Sequence, residues 1–245
     1  MIPSPLACGI VAQVCDGLAY AHDLTDDHGE PLNIVHRDVS PHNIIILFSG
    51  GVKLVDFGIA KAASQMHQTR VGILKGKLTY ISPEQCRGEA VDRRSDVFSL
   101  GVVLWEMFTR RRLFKRKTET AMMNAILEAP IPRVRDVQPS VAPELGSIVN
   151  KALQRDASAR FQSAAEMGSA LRDYLRRQGA SAGVTEIAEF IQRVFAERAR
   201  TKRKLLDEIR EKGPGDISLG ALKPDTDESE SIPSKSPSYP LEDIE

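Results

Sequence analysis

The sequence is organised around His36-Arg37-Asp38-Val39-Ser40-Pro41-His42-Asn43 and, thirteen residues after Asn43, Asp56-Phe57-Gly58. Between these two stretches, a short apolar run on each side of Ser49-Gly50-Gly51 predicts a strand, a tight turn and a second strand. Asp38 then lies just before this hairpin, Asn43 at its entry and Asp56 at its exit. Carboxylate and amide oxygens at the ends of one rigid hairpin suit hard divalent cations next to phosphate.

The order His-Arg-Asp-x-x-x-x-Asn followed by Asp-Phe-Gly resembles the catalytic loop and the metal-binding loop of protein kinases. Further along, Ser82-Pro83-Glu84 is similar to the family's Ala-Pro-Glu, and residues 96–101 to its Asp-x-x-Ser-Leu-Gly helix. The chain is therefore identified as a member of the protein kinase family, similar to bacterial serine/threonine kinases. The resemblance implies a mostly α fold with short β-hairpins, the C-terminal large lobe of a kinase.

Composition agrees with an ordinary globular protein, because 42% of the 245 residues are hydrophobic and 27% are charged. Lys and Arg number 33, as do Asp and Glu, so bulk charge indicates neither a nucleic-acid nor a membrane-surface partner. No apolar run approaches the roughly 18 residues of a membrane span. Cys8, Cys15 and Cys86 show no metal-ligand spacing and no even disulfide set, which favours free thiols. We expect a cytoplasmic protein.

The resemblance implies a role for each matching residue. Asp38 would be the catalytic carboxylate, Asn43 and Asp56 would hold Mg²⁺ on the phosphates of ATP, and Ile45 would lie beside the nucleotide. ATP and Mg²⁺ are the implied cofactors, and a protein is the implied substrate. Pro41 and the Gly-Ile-Ala-Lys that begins at Gly58 favour serine or threonine over tyrosine as the acceptor.

Two departures from the family pattern occur together. Ser40 stands where serine/threonine kinases carry a lysine, and Lys77 stands where they carry the threonine of Gly-Thr-x-x-Tyr. These two positions are neighbours in the kinase fold. We therefore hypothesise that Lys77 supplies the catalytic cation that position 40 lacks, with Ser40 accepting or relaying a hydrogen bond. The alternative is a solvated Lys77 and a weakened site.

The resemblance also implies residues that regulate or support the site. Arg37 would bind a phosphorylated residue of the loop 60–74, for which Thr69 and Ser64 are candidates. The alternative is that both are merely solvated hydroxyls. Asp96 would be a buried carboxylate that accepts N–H bonds from the catalytic loop. Arg160 would form a buried ion pair with Glu84.

A kinase small lobe, with its Gly-rich loop and strand lysine, is expected before the first helix, but only a few residues stand there. We expect a large-lobe chain with an exposed apolar surface, near the N-terminal helix and residues 44–46, that a partner could cover. Three interpretations stay open: an active kinase whose start lies upstream, a recent inactive truncation, and a kinase-like binding or regulatory module.

The predicted domain organisation has four parts. Residues 1–177 form the large lobe and residues 178–183 a small-residue linker. Residues 184–212 are predicted to be an amphipathic helix that becomes basic. Residues 213–245 are rich in Pro, Ser, Asp and Glu, which predicts a disordered acidic tail.

Overall fold

Helices dominate the computed structural model, which describes residues 2–57, 78–196, 200, 201, 203, 204, 206 and 207. The helices are α1 Ser4–His22, α2 Pro83–Arg87, α3 Arg93–Thr109, α4 Glu119–Leu127, α5 Val134–Val137, α6 Pro143–Ala152, α7 Ala164–Arg177 and α8 Val184–Val194. The strands are β1 Ile44–Ile46 and β2 Val52–Leu54. The prediction of a mostly α fold with a short β-hairpin is confirmed.

The two strands form an antiparallel hairpin in which Ile44 pairs with Leu54 and Ile46 with Val52. The turn depends on Gly50, whose φ of +86° lies in the left-handed region that glycine adopts at little cost. The amide of Gly50 donates to the carbonyl of Leu47 at 2.8 Å. This pairing brings the two ends of the hairpin together.

Helix α3 runs through the centre of the fold. Apolar residues surround it on nearly every side, and Val97, Phe98, Leu100 and Leu104 are fully buried. The side chain of Asp92 caps its first turn by accepting a bond from the amide of Arg94. A buried central helix was predicted here, and the burial confirms it.

Helix α1 packs against α7 and α3. Its apolar stripe is buried, and it includes Leu6, Ile10, Val14 and Leu18. A Cβ on Gly168 of α7 would stand 2.9 Å from the Cβ of Cys15, so the two helices approach closely there. The predicted apolar stripe of this helix thus forms part of the core of the lobe.

Burial also decides the state of the cysteines in this region. Cys8 and Cys15 are free and fully buried. Desolvation raises the pKa of each thiol to about 12, so both stay protonated and behave as small apolar side chains.

Within the predicted linker at 178–183, one residue is buried against the lobe. Ala182 is 8% exposed, and a Cβ on Gly9 of α1 would come within 2.0 Å of its carbonyl oxygen. Helix α8 follows directly and buries Ile187 and Ile191 in the same core. The first compact unit runs from residue 1 to 199, and the boundary expected at 177 stays a prediction.

Helix α8 is shorter than the predicted helix at 184–212. It ends at Val194 because Phe195 leaves the helical region, with φ −111° and ψ 32°. The buried face ends at Ile191, since Val194 is 55% exposed. The described residues from 200 to 207 are helical and belong to a second unit. The predicted tail at 213–245 lies outside the described residues.

In the described part of the chain, no helix combines the length and the apolar character that a membrane crossing requires.

Candidate active site

Asp96 organises the loop that contains Asp38. Its carboxylate accepts bonds from the backbone amides of His36 and Arg37, both at 2.8 Å. A third bond, at 2.7 Å, comes from Nε2 of His22 in the last turn of α1. Asp96 is 0% exposed, and a buried carboxylate needs such donors to offset its desolvation. The structure therefore contains the N–H contacts that the sequence led us to expect.

The ring of His36 joins this loop to the hairpin. Nε2 donates to the carbonyl of Val55 at 3.0 Å, and Nδ1 accepts from the amide of Asp38 at 3.3 Å. Both bonds are satisfied by one tautomer, with the proton on Nε2. The ring also packs against Phe57 in a tilted arrangement, with 4.4 Å between centroids. His36 thus sets the position of Asp38 relative to Asp56.

Asn43 and Asp56 meet at the open end of the hairpin. The carbonyl of Asn43 accepts from the amide of Val55 at 2.9 Å, and Asp56 is the next residue. The amide nitrogen of the Asn43 side chain donates to the carbonyl of Asp38 at 2.8 Å. This bond orients the side chain and leaves its oxygen available to a cation. The hairpin therefore brings together all three predicted residues.

Two of the site residues have strained backbones. Arg37 has φ +64° and Asp56 has φ +59°, values that cost a side-chain-bearing residue about 1–2 kcal/mol. The bonds of Asp96 and the hairpin hold both residues in place. Strain of this kind is concentrated at functional sites.

Ser40 and Ile45, the two other described residues predicted at the site, differ in burial. Ser40 is buried beside Asn43, and the backbone amide of Asn43 donates to the Ser40 carbonyl at 3.0 Å. Ile45 is 45% exposed on β1, whereas Ile44 and Ile46 are half-buried. The exposed apolar surface expected here is therefore limited in β1 to Ile45.

The pair between Glu84 and Arg160 is present and buried. Two parallel bonds, of 2.7 and 2.8 Å, join the guanidinium to the carboxylate. Burial acts to raise the pKa of Glu84, but bonds from Arg160 and Ser95 outweigh it and hold the pKa below its usual value. The pair anchors the start of α2, where Ser82 and Gln85 form a capping box.

Sequence reasoning did not identify two side chains that support the loop. Gln85 Nε2 donates to the carbonyl of Arg37 at 3.1 Å, which links α2 to the catalytic loop. His22, bonded to Asp96, is 1% exposed. A histidine on the apolar stripe of α1 was a signal for His22. Gln85 had no signal beyond its capping-box position.

Four of the predicted residues belong to the stretch 58–77. Lys77, Thr69, Ser64 and Gly58 lie outside the described residues. Arg37 is half-buried.

The donor set fits magnesium held partly by a nucleotide. Within the described ranges, no group of three or more His, Cys, Asp or Glu side chains forms a metal site. Magnesium is commonly bound by only one or two protein oxygens together with substrate phosphates. Asn43 and Asp56 offer one amide oxygen and one carboxylate on a fixed hairpin, and such a set fits that mode.

Comparisons with known proteins agree with the geometry. The family model described as "Protein kinase domain" matches residues 2–171. A "Tyrosine-protein kinase MasK" of Myxococcus xanthus is 39% identical over 202 residues, which are 82% of this chain and 31% of that protein.

Two further relatives carry serine/threonine names. A "Serine/threonine-protein kinase PknB" of Mycolicibacterium smegmatis is 42% identical over 164 residues, covering 66% of this chain and 25% of that protein. A "Serine/threonine-protein kinase PrkC" of Bacillus subtilis is 35% identical over 161 residues, covering 66% and 24%. The chain thus spans about a quarter to a third of these relatives.

Proposed function

Because the chain belongs to the protein kinase family, we propose that it forms the catalytic large lobe of a serine/threonine protein kinase. The observation that carries this proposal is the convergence of Asp38, Asn43 and Asp56, held by Asp96 and by the hairpin. The alternative of an inactive regulatory module would leave no reason for these residues to stay in a strained, fully supported arrangement.

Each residue of the site has a role in this proposal. Bound Mg²⁺ and ATP supply the transferable phosphoryl group and neutralise its charge. Asn43 and Asp56 would hold the metal from the end of the hairpin. Asp38 would accept the proton of a serine or threonine hydroxyl and orient its oxygen. Ile45, exposed on β1, would contact the nucleotide.

A protein kinase needs a cover over the bound nucleotide. The 245 residues contain no Gly-x-Gly-x-x-Gly, the loop that covers the phosphates in kinases. We propose that a small lobe or a partner covers the side of the site that exposes Ile45.

The cation beside Asp38 is proposed to be Lys77. Ser40, buried next to Asn43, is too short to reach a phosphate as a lysine does. An ammonium from position 77 would serve the same purpose from the other side of Asp38. Lys77→Ala should then reduce the phosphorylation rate, whereas an unchanged rate would rule this role out.

Arg37 is proposed to be the receptor for loop phosphorylation. It follows His36 in the supported loop, and a phosphate on Thr69 or Ser64 would supply an anion for its guanidinium.

Tyrosine is a second candidate acceptor. The relative named a tyrosine kinase matches 202 residues, against 164 and 161 for the two named serine/threonine kinases. Phosphoamino-acid analysis of the product separates these two acceptors.

The proposed function is tested by Asp38→Asn and Asp56→Asn in the natural protein, with transfer of labelled phosphate from ATP to a generic protein substrate as the readout. We expect each variant to lose at least about a hundredfold in rate, because each removes a proton acceptor or a metal ligand. Asp27→Asn, an exposed turn residue, is the control. Full activity in the Asp38 variant would overturn the proposal.

A further inference from the structure

Residues 110–117, which we call the basic loop, connect α3 to α4. Six of these eight residues are Arg or Lys, in the order Arg-Arg-Arg-Leu-Phe-Lys-Arg-Lys. All six cationic residues are exposed. The chain as a whole has no net charge, so this loop is a strong local concentration of positive charge.

The backbone of the basic loop is anchored. Arg110 ends α3 in the left-handed region, at φ +58°, with its amide bonded to the carbonyl of Glu106 at 2.8 Å. The carboxylate of Glu106 also accepts the amide of Leu113 at 3.1 Å. Phe114 is 4% exposed and fixes the middle of the loop in the core. The cations are thus presented from a fixed backbone.

Most of these charges are not neutralised nearby. Arg112 is paired with Glu106 at 3.0 Å. In the part of the chain that the structure describes, the other five cations have no carboxylate partner: Arg110, Arg111, Lys115, Arg116 and Lys117. The guanidinium of Arg116 donates to the carbonyl of Lys115. Five exposed cations are therefore available to an external anion.

Two contacts place the basic loop relative to the catalytic loop. Arg112 donates to the hydroxyl of Tyr80. Five residues after Tyr80, the side chain of Gln85 donates to the carbonyl of Arg37 in the catalytic loop. Helix α3 gives the distance between the catalytic loop and the basic loop. Asp96, near its start, accepts the amide of Arg37, and Arg110, at its end, lies fourteen residues further along the chain. At 1.5 Å per residue this separation is about 21 Å.

We propose that the basic loop binds acidic segments of the protein substrates, an inference that rests on the kinase function proposed above. An extended peptide covers about 3.3 Å per residue, so its acidic run would lie about six to ten residues from the acceptor. Rigidly held cations attract such a segment by charge complementarity.

Other anionic partners fit the loop less well. A membrane surface favours exposed apolar side chains beside the cations, but Phe114 is buried and Leu113 half-buried. Single-stranded nucleic acid favours exposed aromatic rings for stacking, and the basic loop exposes none.

The test compares two fluorescein-labelled peptides with the same acceptor serine, one carrying an acidic run about eight residues away and one with Gly and Ser in its place. Fluorescence anisotropy with the full chain measures binding. We expect the acidic peptide to bind more tightly and its affinity to fall with added salt.

The decisive variant is Lys115→Glu with Lys117→Glu. Its matched control is Arg133→Glu with Arg177→Glu, which changes the net charge equally at exposed positions elsewhere on the lobe. We expect the first variant to bind the acidic peptide at least about tenfold more weakly and the control to bind as the natural sequence does.

Each remaining outcome supports or overturns the proposal. Equal binding of both peptides, equal losses in both variants, or preferential binding of an RNA oligonucleotide or anionic vesicles would overturn it. In the natural protein, the KM for the acidic peptide should rise in the first variant while the KM for Mg-ATP stays unchanged. Binding that persists in a protein without kinase activity would contradict the proposed function alone.

Discussion

Arg160 uses every donor of its guanidinium. Besides its two bonds to Glu84, it donates to the backbone carbonyls of Arg94, Gln154 and Arg155, and it is 2% exposed. Its guanidinium also lies 5.1 Å from the ring centroid of Phe98. A buried charge with five bonds is stable only while the carboxylate remains opposite it.

Glu84→Gln should therefore lower the free energy of unfolding by about 3–5 kcal/mol, because it leaves the Arg160 charge buried without its counter-ion. Urea unfolding at pH 7 measures the loss. Asp92→Asn is the matched control, because it removes an exposed ion pair yet keeps a good helix cap, and it should cost less than about 1 kcal/mol. Equal losses in both variants would contradict a special role for the buried pair.

The contribution of Glu84 to the free energy of unfolding should depend on pH. The pKa of Glu84 is lower in the folded protein than in the unfolded chain. Its contribution to stability is therefore complete above the ordinary carboxyl pKa, about 4.3, and is lost as pH falls through the lower folded value. The difference between the natural chain and Glu84→Gln should shrink when unfolding is measured near pH 3. A difference that stayed constant would show that ionisation of Glu84 is not involved.

At the scale of elements, the hairpin is held by two helices that are far apart in the chain. Gln13 of α1 accepts the amide of Val52 at 3.1 Å, and Gln192 of α8 donates to the carbonyl of Phe48 at 3.2 Å. A Cβ on Gly50 would come within 1.8 Å of the Val184 carbonyl. Helix α8 thus supports the element whose ends carry Asn43 and Asp56.

A comparison of Gly50→Ala with Gly29→Ala should separate the free-energy cost of a clash with α8 from the cost of backbone strain in the turn. Gly29 has nearly the same φ, +84° against +86°, but a Cβ there would meet nothing within 4 Å. Both substitutions strain the backbone, and only Gly50→Ala also clashes with α8. We expect Gly50→Ala to be less stable than Gly29→Ala by about 1–3 kcal/mol in urea unfolding. Equal stabilities would mean that α8 yields to the added methyl group.

At the scale of the whole molecule, the first compact unit ends at residue 199, beyond the family match at 171. Residues 178–194 add a packed segment to the lobe, with Ile187 at 0% and Ile191 at 7% exposure. The 202-residue match to the Myxococcus relative is long enough to include this segment, whereas the matches of 164 and 161 residues are shorter than the lobe itself.

A chain that ends at residue 177 should therefore unfold more easily than one that ends at 199. We expect a difference of about 2 kcal/mol, roughly the value of burying one isoleucine, because the entropy regained by the removed residues offsets part of the lost burial. Thermal and urea unfolding of the two chains measure it. Equal stability would support the predicted domain boundary at 177.

The local sequence pattern was sufficient to predict the family, the hairpin and the central helix. Apolar runs around Gly50-Gly51 specify a tight turn, and the high apolar density of residues 97–105 specifies a buried helix, since each signal lies within a few neighbouring residues. The spacing of Asp38, Asn43 and Asp56 likewise placed them on one hairpin, because a two-stranded antiparallel pair brings its own ends together.

Contacts between residues far apart in the chain could be identified only from the folded lobe. The bond from His22 to Asp96 spans 74 residues, and that from Gln192 to Phe48 spans 144. The sequence of residues 178–183 has the composition of a linker, yet Ala182 is buried because Gly9 lets its backbone approach α1. Such packing depends on the shapes of surfaces formed by distant residues, and it decided that α8 belongs to the lobe and supports the hairpin of the catalytic site.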